Sequence, residues 1–177
     1  MRDLSAIQLL VLDVDGVLTD GTIGLDDRGR ETKHYYSRDG LGIRLAQRAG
    51  LPVGVITGRG APSVTLRLQE LDIELVVQRC DGKADGLRQV TQRAALTPAQ
   101  AAFVGDDIVD LPAMRAAGYA IAVADATPEV HAAADHITQA PGGRGAVREA
   151  IEHILKAQHK WQPVIAKYTD DGQMPNH

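Results

Sequence analysis

Leu10-Val11-Leu12-Asp13-Val14-Asp15-Gly16-Val17-Leu18-Thr19 is an apolar run that ends abruptly in two carboxylates one residue apart, followed by a glycine. A short, unbroken apolar run reads as a strand buried on both faces. Acids at its C-terminal end lie where open α/β sheets gather their ligands. Asp-x-Asp by itself also occurs in solvated turns and in other metal sites, so its meaning depends on the rest of the chain.

Further apolar runs recur at Val53 to Ile56, Leu75 to Val77, Ala101 to Val104, Tyr119 to Val123 and His136 to Thr138. Helical spacing appears between them, in Val64, Leu68 and Leu71, and later in Val147, Ala150, Ile151, Ile154 and Leu155. Alternation of this kind predicts an α/β fold: a Rossmann-like, doubly wound parallel sheet with helices on both faces. Thr97-Pro98-Ala99-Gln100 carries a capping-box pattern, and Thr127-Pro128-Glu129 carries a cap with proline at the first helical position. The second is expected to open a sizeable helix. Gly21, Gly24, Gly29 and Asp26-Asp27 punctuate short extended pieces, so residues 16–38 read as a β-hairpin inserted after the first strand. One domain is expected over residues 1–160, with a flexible tail over 161–177, where Pro163, Pro175 and polar residues accumulate.

Composition agrees with this class. Apolar residues make up 44% of the 177 and aromatics only 3%, so the core must be aliphatic. A net charge of -4 argues against nucleic acid or an anionic membrane surface as the main partner. Cys80 is the only cysteine, which excludes an internal disulfide and suits a reducing compartment. No run approaches the roughly 20 apolar residues of a membrane span, and residues 1–12 lack a cleavage-site pattern. The expectation is a cytoplasmic protein.

Three more strand ends carry chemistry. Val55-Ile56-Thr57-Gly58-Arg59 offers a hydroxyl and a close backbone approach to an anion, although a plain helix cap accounts for Thr57 equally well. Lys83 follows the turn Asp81-Gly82 and opens a predicted helix over Lys83 to Ala95, where a solvated lysine would be ordinary. Phe103-Val104-Gly105-Asp106-Asp107-Ile108-Val109-Asp110-Leu111-Pro112 clusters three acids that need a positive charge among them. A hard cation such as magnesium meets that need.

In this order, the four signals resemble the haloacid dehalogenase superfamily of phosphohydrolases. The resemblance implies Asp13 as nucleophile, Asp15 as general acid then base, and Thr57 and Lys83 on the phosphate oxygens. It implies Mg²⁺ held by Asp13, Asp106 and the main-chain carbonyl of Asp15. Asp107 would orient Lys83 or metal-bound water, and Asp110 is read as a helix-start residue. Only one helix and one strand fit between Thr57 and Lys83, so the chain looks like a capless member.

The likeness narrows to the phosphatases of 3-deoxy-D-manno-octulosonate 8-phosphate (Kdo 8-phosphate), in lipopolysaccharide precursor synthesis. The matching pieces include residues 13–21, Ser37-Arg38-Asp39-Gly40-Leu41-Gly42-Ile43, Ile56-Thr57-Gly58-Arg59 and Gly142-Gly143-Arg144-Gly145-Ala146-Val147-Arg148-Glu149. Ser37 stands where Asn would be expected, and Lys83 lies outside its usual context. The resemblance assigns substrate contacts to Arg38, Asp39, Gly40, Arg44, Gly58, Arg59, Arg67 and Lys83. An arginine fork suits the sugar carboxylate. Arg44, one turn beyond Gly40, is expected to lean back toward the site. The group also implies a homotetramer assembled through the hairpins, with the chain from Lys160 onward, including Lys167 and Tyr168, as a lid over a neighbouring site. Competing readings are a phosphatase for a nine-carbon sugar acid phosphate, a catalytically silent oligomerisation module, and a receiver domain. The motif order disfavours the receiver.

Overall fold

The computed structural model describes residues 3–169. Its frame is a six-stranded, wholly parallel sheet with strand order β5-β4-β1-β6-β7-β8. The strands are β1 (Leu9–Leu12), β4 (Val53–Thr57), β5 (Leu75–Gln78), β6 (Ala101–Gly105), β7 (Tyr119–Ala122) and β8 (His136–Ile137). Every apolar run read as a strand is one, to within a residue or so. The four residues of β1 are fully buried, as a central strand covered on both faces requires. Each contributes roughly 1.5–3 kcal/mol through burial.

Helices α1 (Ser37–Arg48) and α2 (Pro62–Glu70) carry the chain from β1 to β4 to β5. Helix α3 (Lys83–Arg93) then crosses back to β6, and α4 (Leu111–Ala116) and α5 (Pro128–Ala133) lead on to β7 and β8. Right-handed crossovers place these two sets on opposite faces. Helix α6 (Ala146–Ala157) packs against α1, and α3 packs against α4. The winding reverses between β1 and β6, which therefore define the crevice at the sheet's C-terminal edge.

The hairpin is present but short: β2 (Gly24–Leu25) pairs antiparallel with β3 (Glu31–Thr32). Ile23, just before β2, and Leu25, within it, are exposed.

Two expectations are corrected. The Thr127-Pro128 start opens only the six residues of α5. The chain is pulled extended at once because Asp135 both donates its N–H to the Ala120 carbonyl and accepts the Ala120 N–H, each at 2.8 Å. The Thr97 capping box closes a single 3₁₀ turn, Pro98–Gln100. In the segment expected to be a flexible tail, α7 (Trp161–Thr169) forms instead. Trp161 and Val164 are buried, and the cationic ends of Arg148 and Lys156 lie 5.1 and 5.7 Å from the indole centre. Arg48 donates to the Tyr168 hydroxyl at 2.6 Å, at the end of α1 remote from the crevice. The rest of the expected lid, residues 170–177, lies outside the described residues. Among the described residues no helix is long and apolar enough to cross a membrane.

Candidate active site

Strand β1 ends at Leu12, and the next carboxylate, Asp13, lies in the crevice almost fully buried. Its Oδ1 accepts the Val14 N–H at 2.7 Å. The N–H groups of Val17, Leu18 and Thr19 all donate to the Val14 carbonyl, closing the loop into a tight turn. Gly16 sits in that turn at φ +84°, and a Cβ there would come within 2.0 Å of Asp106 Oδ2. Only glycine lets the Asp13–Asp15 turn and the Asp106 segment meet.

Lys83, at the first position of α3, reaches into the same space. Its Nζ lies 2.6 Å from Asp13 Oδ1 and 3.0 Å from Asp110 Oδ1, and it donates to the Ile56 carbonyl at 3.1 Å. Burial alone would lower its pKa, but the charges of Asp13 and Asp110 overcome this and hold it above the usual lysine range. Thr57, at the end of β4, is buried, and its Oγ1 accepts the Arg59 N–H at 3.1 Å. The hydroxyl proton of Thr57 is left free to be donated.

Carboxyl oxygens of Asp13, Asp106 and Asp110 lie within 4.8 Å of one another. Burial, then repulsion from Asp110, Asp13 and Asp107, pushes the Asp106 carboxyl up to about 8 despite Lys83. Burial and Asp110 likewise raise Asp13 to about 6 against the pull of Lys83. Asp106 Oδ1 is buried without a hydrogen-bond partner. A buried, partnerless carboxylate oxygen facing two further acids fits a hard divalent cation.

The roles of two acids differ from expectation. Asp110 is fully buried and faces Lys83, while its Oδ2 accepts the Asp106 N–H at 3.0 Å. It is part of the charge cluster, not merely a helix-start residue. Asp107 is exposed and caps the 3₁₀ turn Ile108–Asp110 through the Ile108 N–H at 2.7 Å, so it is Asp110 that pairs with Lys83.

Over 160 residues the chain is 44% identical to the 3-deoxy-D-manno-octulosonate 8-phosphate phosphatase KdsC of Escherichia coli (strain B / BL21-DE3), covering 90% of this chain and 85% of that protein. Residues 81–151 match the haloacid dehalogenase-like hydrolase family. The chain belongs to the haloacid dehalogenase-like hydrolases. Within them it is a phosphoric monoester hydrolase. The phosphatase from Moraxella catarrhalis, solved with a magnesium ion, a phosphate ion and a KDO molecule, superposes with a TM-score of 0.90 at 39% identity, over 93% of this chain and 95% of that one. The cobalt-bound form of the Haemophilus influenzae enzyme gives 0.88 at 39% identity, over 96% of each.

Around this haloacid dehalogenase-like centre, the cations expected to bind substrate separate. Arg59, half exposed, lies 3.3 Å from Glu31 Oε2 and 4.0 Å from Asp15 Oδ2, at the rim. Gly58 beside it is exposed. Arg38 is exposed at the start of α1, with its guanidinium 5.9 Å from the Tyr36 ring. Arg67 lies against Gly40 and 5.5 Å from the Tyr35 ring, and pairs with Glu70 at 2.8 Å. Arg44 does not lean into the site: it pairs with Asp72 and donates to the Glu70 carbonyl at 2.7 Å, because the end of α2 supplies nearer acceptors. Asp39 is buried and accepts the N–H groups of Gly145 and Arg148 at 3.1 and 2.8 Å, capping the start of α6.

Sequence reasoning missed Lys33. Its side chain is wholly buried between Asp15 and Glu31. The available signal was the alternation Glu31, Lys33, Tyr35, which puts every second residue of an extended segment on one face.

Proposed function

We propose that this protein hydrolyses 3-deoxy-D-manno-octulosonate 8-phosphate to the free sugar acid and phosphate, with Mg²⁺ and through an aspartyl-phosphate on Asp13. The observation that carries the reading is the meeting of Asp13, Lys83 and the partnerless Asp106 carboxylate at the switch point of the sheet. Identity of 44% with KdsC over 90% of the chain supports the choice of substrate.

An Asp13 carboxylate oxygen attacks phosphorus in line and the ester P–O bond breaks. Asp15 passes a proton to the departing alcohol oxygen. Asp15 then takes a proton from the water that attacks the acyl phosphate, which frees phosphate and restores Asp13. Lys83 and the Thr57 hydroxyl hold the other phosphate oxygens and take up the charge that develops there. Asp13 and Asp106, with Asp110 adjoining and the Asp15 carbonyl as a further candidate, would hold the cation, whose part is to neutralise the meeting of two anions. Arg59, at the rim, and Arg38, at the start of α1, would meet the sugar carboxylate.

The hairpin, with Ile23 and Leu25 exposed, supports a homotetramer joined through hairpins, since a two-stranded ribbon this short is marginal alone. The reaction belongs in the cytoplasm, in the supply of lipopolysaccharide precursors. The test is phosphate release from Kdo 8-phosphate beside a panel of sugar phosphates, with Mg²⁺ or EDTA. Preference for Kdo 8-phosphate, lost with EDTA and in Asp13→Asn, supports the reading. Preference for a nine-carbon acid phosphate would replace the substrate, and no turnover would favour the silent module.

A further inference from the structure

We infer that Lys33, on the returning side of the hairpin, is a positioning residue that fixes the Asp15 carboxyl group for proton exchange with the leaving-group oxygen. The inference rests on the acid and base roles proposed for Asp15.

Lys33 Nζ donates to Asp15 Oδ1 and pairs with Glu31, and its side chain is wholly buried although its neighbours Thr32 and His34 are exposed. Arg59 closes the ring of alternating charge, 3.3 Å from Glu31 and 4.0 Å from Asp15. If stability were its only role, an apolar residue would serve as well, because desolvation offsets most of a buried ion pair's attraction. The ring instead holds one particular carboxylate. Asp15 lies on a loop, two residues beyond the nucleophile. Among the described residues Lys33 is the side chain that hydrogen-bonds it. A proton donor works only within hydrogen-bond reach of the atom it serves, so a free Asp15 rotor would lose that alignment. The hairpin thereby has a part in catalysis besides any in assembly.

The discriminating probe is leaving-group dependence. p-Nitrophenolate departs without needing a proton, whereas the alcohol of a sugar phosphate needs one. kcat and KM are measured for Kdo 8-phosphate, or another alkyl phosphate that the wild type hydrolyses, and for p-nitrophenyl phosphate, in Lys33→Met, Lys33→Arg, Asp15→Asn and Lys33→Met/Asp15→Asn. In Lys33→Met the ratio of alkyl to aryl kcat/KM should fall by about 10²-fold, the low end of what a positioned acid contributes. KM for the alkyl ester should hold, Lys33→Arg should recover part of the loss, and Lys33→Met should add little to Asp15→Asn. Retained aryl turnover reports that the variant is folded. An equal loss of kcat/KM on both esters, a loss confined to KM, or no loss overturns the inference. Turnover that survives in Asp13→Asn would instead count against the aspartyl-phosphate reading.

Discussion

Replacing Lys83 with methionine keeps most of the buried side-chain volume and removes one charge. In the wild type Nζ lies 2.6 Å from Asp13 and 3.0 Å from Asp110, with a further bond to the Ile56 carbonyl, and the side chain is nearly inaccessible. Removing one partner of a buried pair strands the other, at a cost of about 3–5 kcal/mol. At roughly 2–4 °C per kcal/mol for a domain of this size, the melting temperature should drop by roughly 6–20 °C. That loss should be full at pH 8 in EDTA. It should shrink at pH 5, because Asp13, raised to about 6 even with Lys83 beside it and higher without it, is then neutral. Mg²⁺ should also reduce it by replacing the missing charge. Urea and thermal unfolding at the two pH values, with and without Mg²⁺, measure all of this. A loss under about 1 kcal/mol at pH 8 in EDTA, or the same loss at pH 5, would refute the account of Lys83 as buried countercharge.

Other outcomes follow from the same geometry. Asp106 titrates at an ordinary 3.8 when unfolded and at about 8 when folded without metal, so between these values the folded state binds the extra proton. Stability in EDTA should therefore fall as pH rises through that window, and stabilisation by Mg²⁺, read as a melting shift, should be larger at pH 8 than at pH 6. Gly16→Ala forces a side chain onto φ +84° and against Asp106 Oδ2, so Mg²⁺ affinity by titration should weaken about tenfold or more, with a strain cost of about 1–2 kcal/mol in melting. Asp39→Ala should cost about 1–3 kcal/mol of stability, since two N–H groups at the start of α6 lose their acceptor, while KM stays near wild type.

The frame of the fold was legible because each parallel strand is an apolar run buried on both faces, and such runs announce themselves locally. Asp13, Thr57, Lys83 and Asp106 were legible for a related reason: each ends or follows a strand, and parallel strands bring their C-terminal ends to one edge. What escaped depends on contacts between distant segments. Nothing near Asp39 indicates that it caps α6 more than a hundred residues later. The place of Asp110 beneath Lys83 follows from how the 3₁₀ turn folds the third acid back under the first, and acid spacing does not encode that. Lys33 meets Asp15 only because the hairpin folds over the strand end. Helix α7 was hidden by Pro163, which is tolerated in the first turn of a helix where no internal N–H bond is lost.

The central claim is the covalent intermediate on Asp13, and trapping it is the most direct test. The Asp15→Asn variant, slowed in the step that uses Asp15 as a base, would be mixed with Mg²⁺ and p-nitrophenyl phosphate, whose leaving group needs no proton, quenched in acid and reduced with borohydride, then mapped by peptide mass spectrometry. An acyl phosphate at Asp13 predicts homoserine at position 13, dependent on substrate and absent from Asp13→Asn. Unmodified Asp13 under conditions where the variant still releases phosphate would mean that water attacks the ester directly, and would contradict the account.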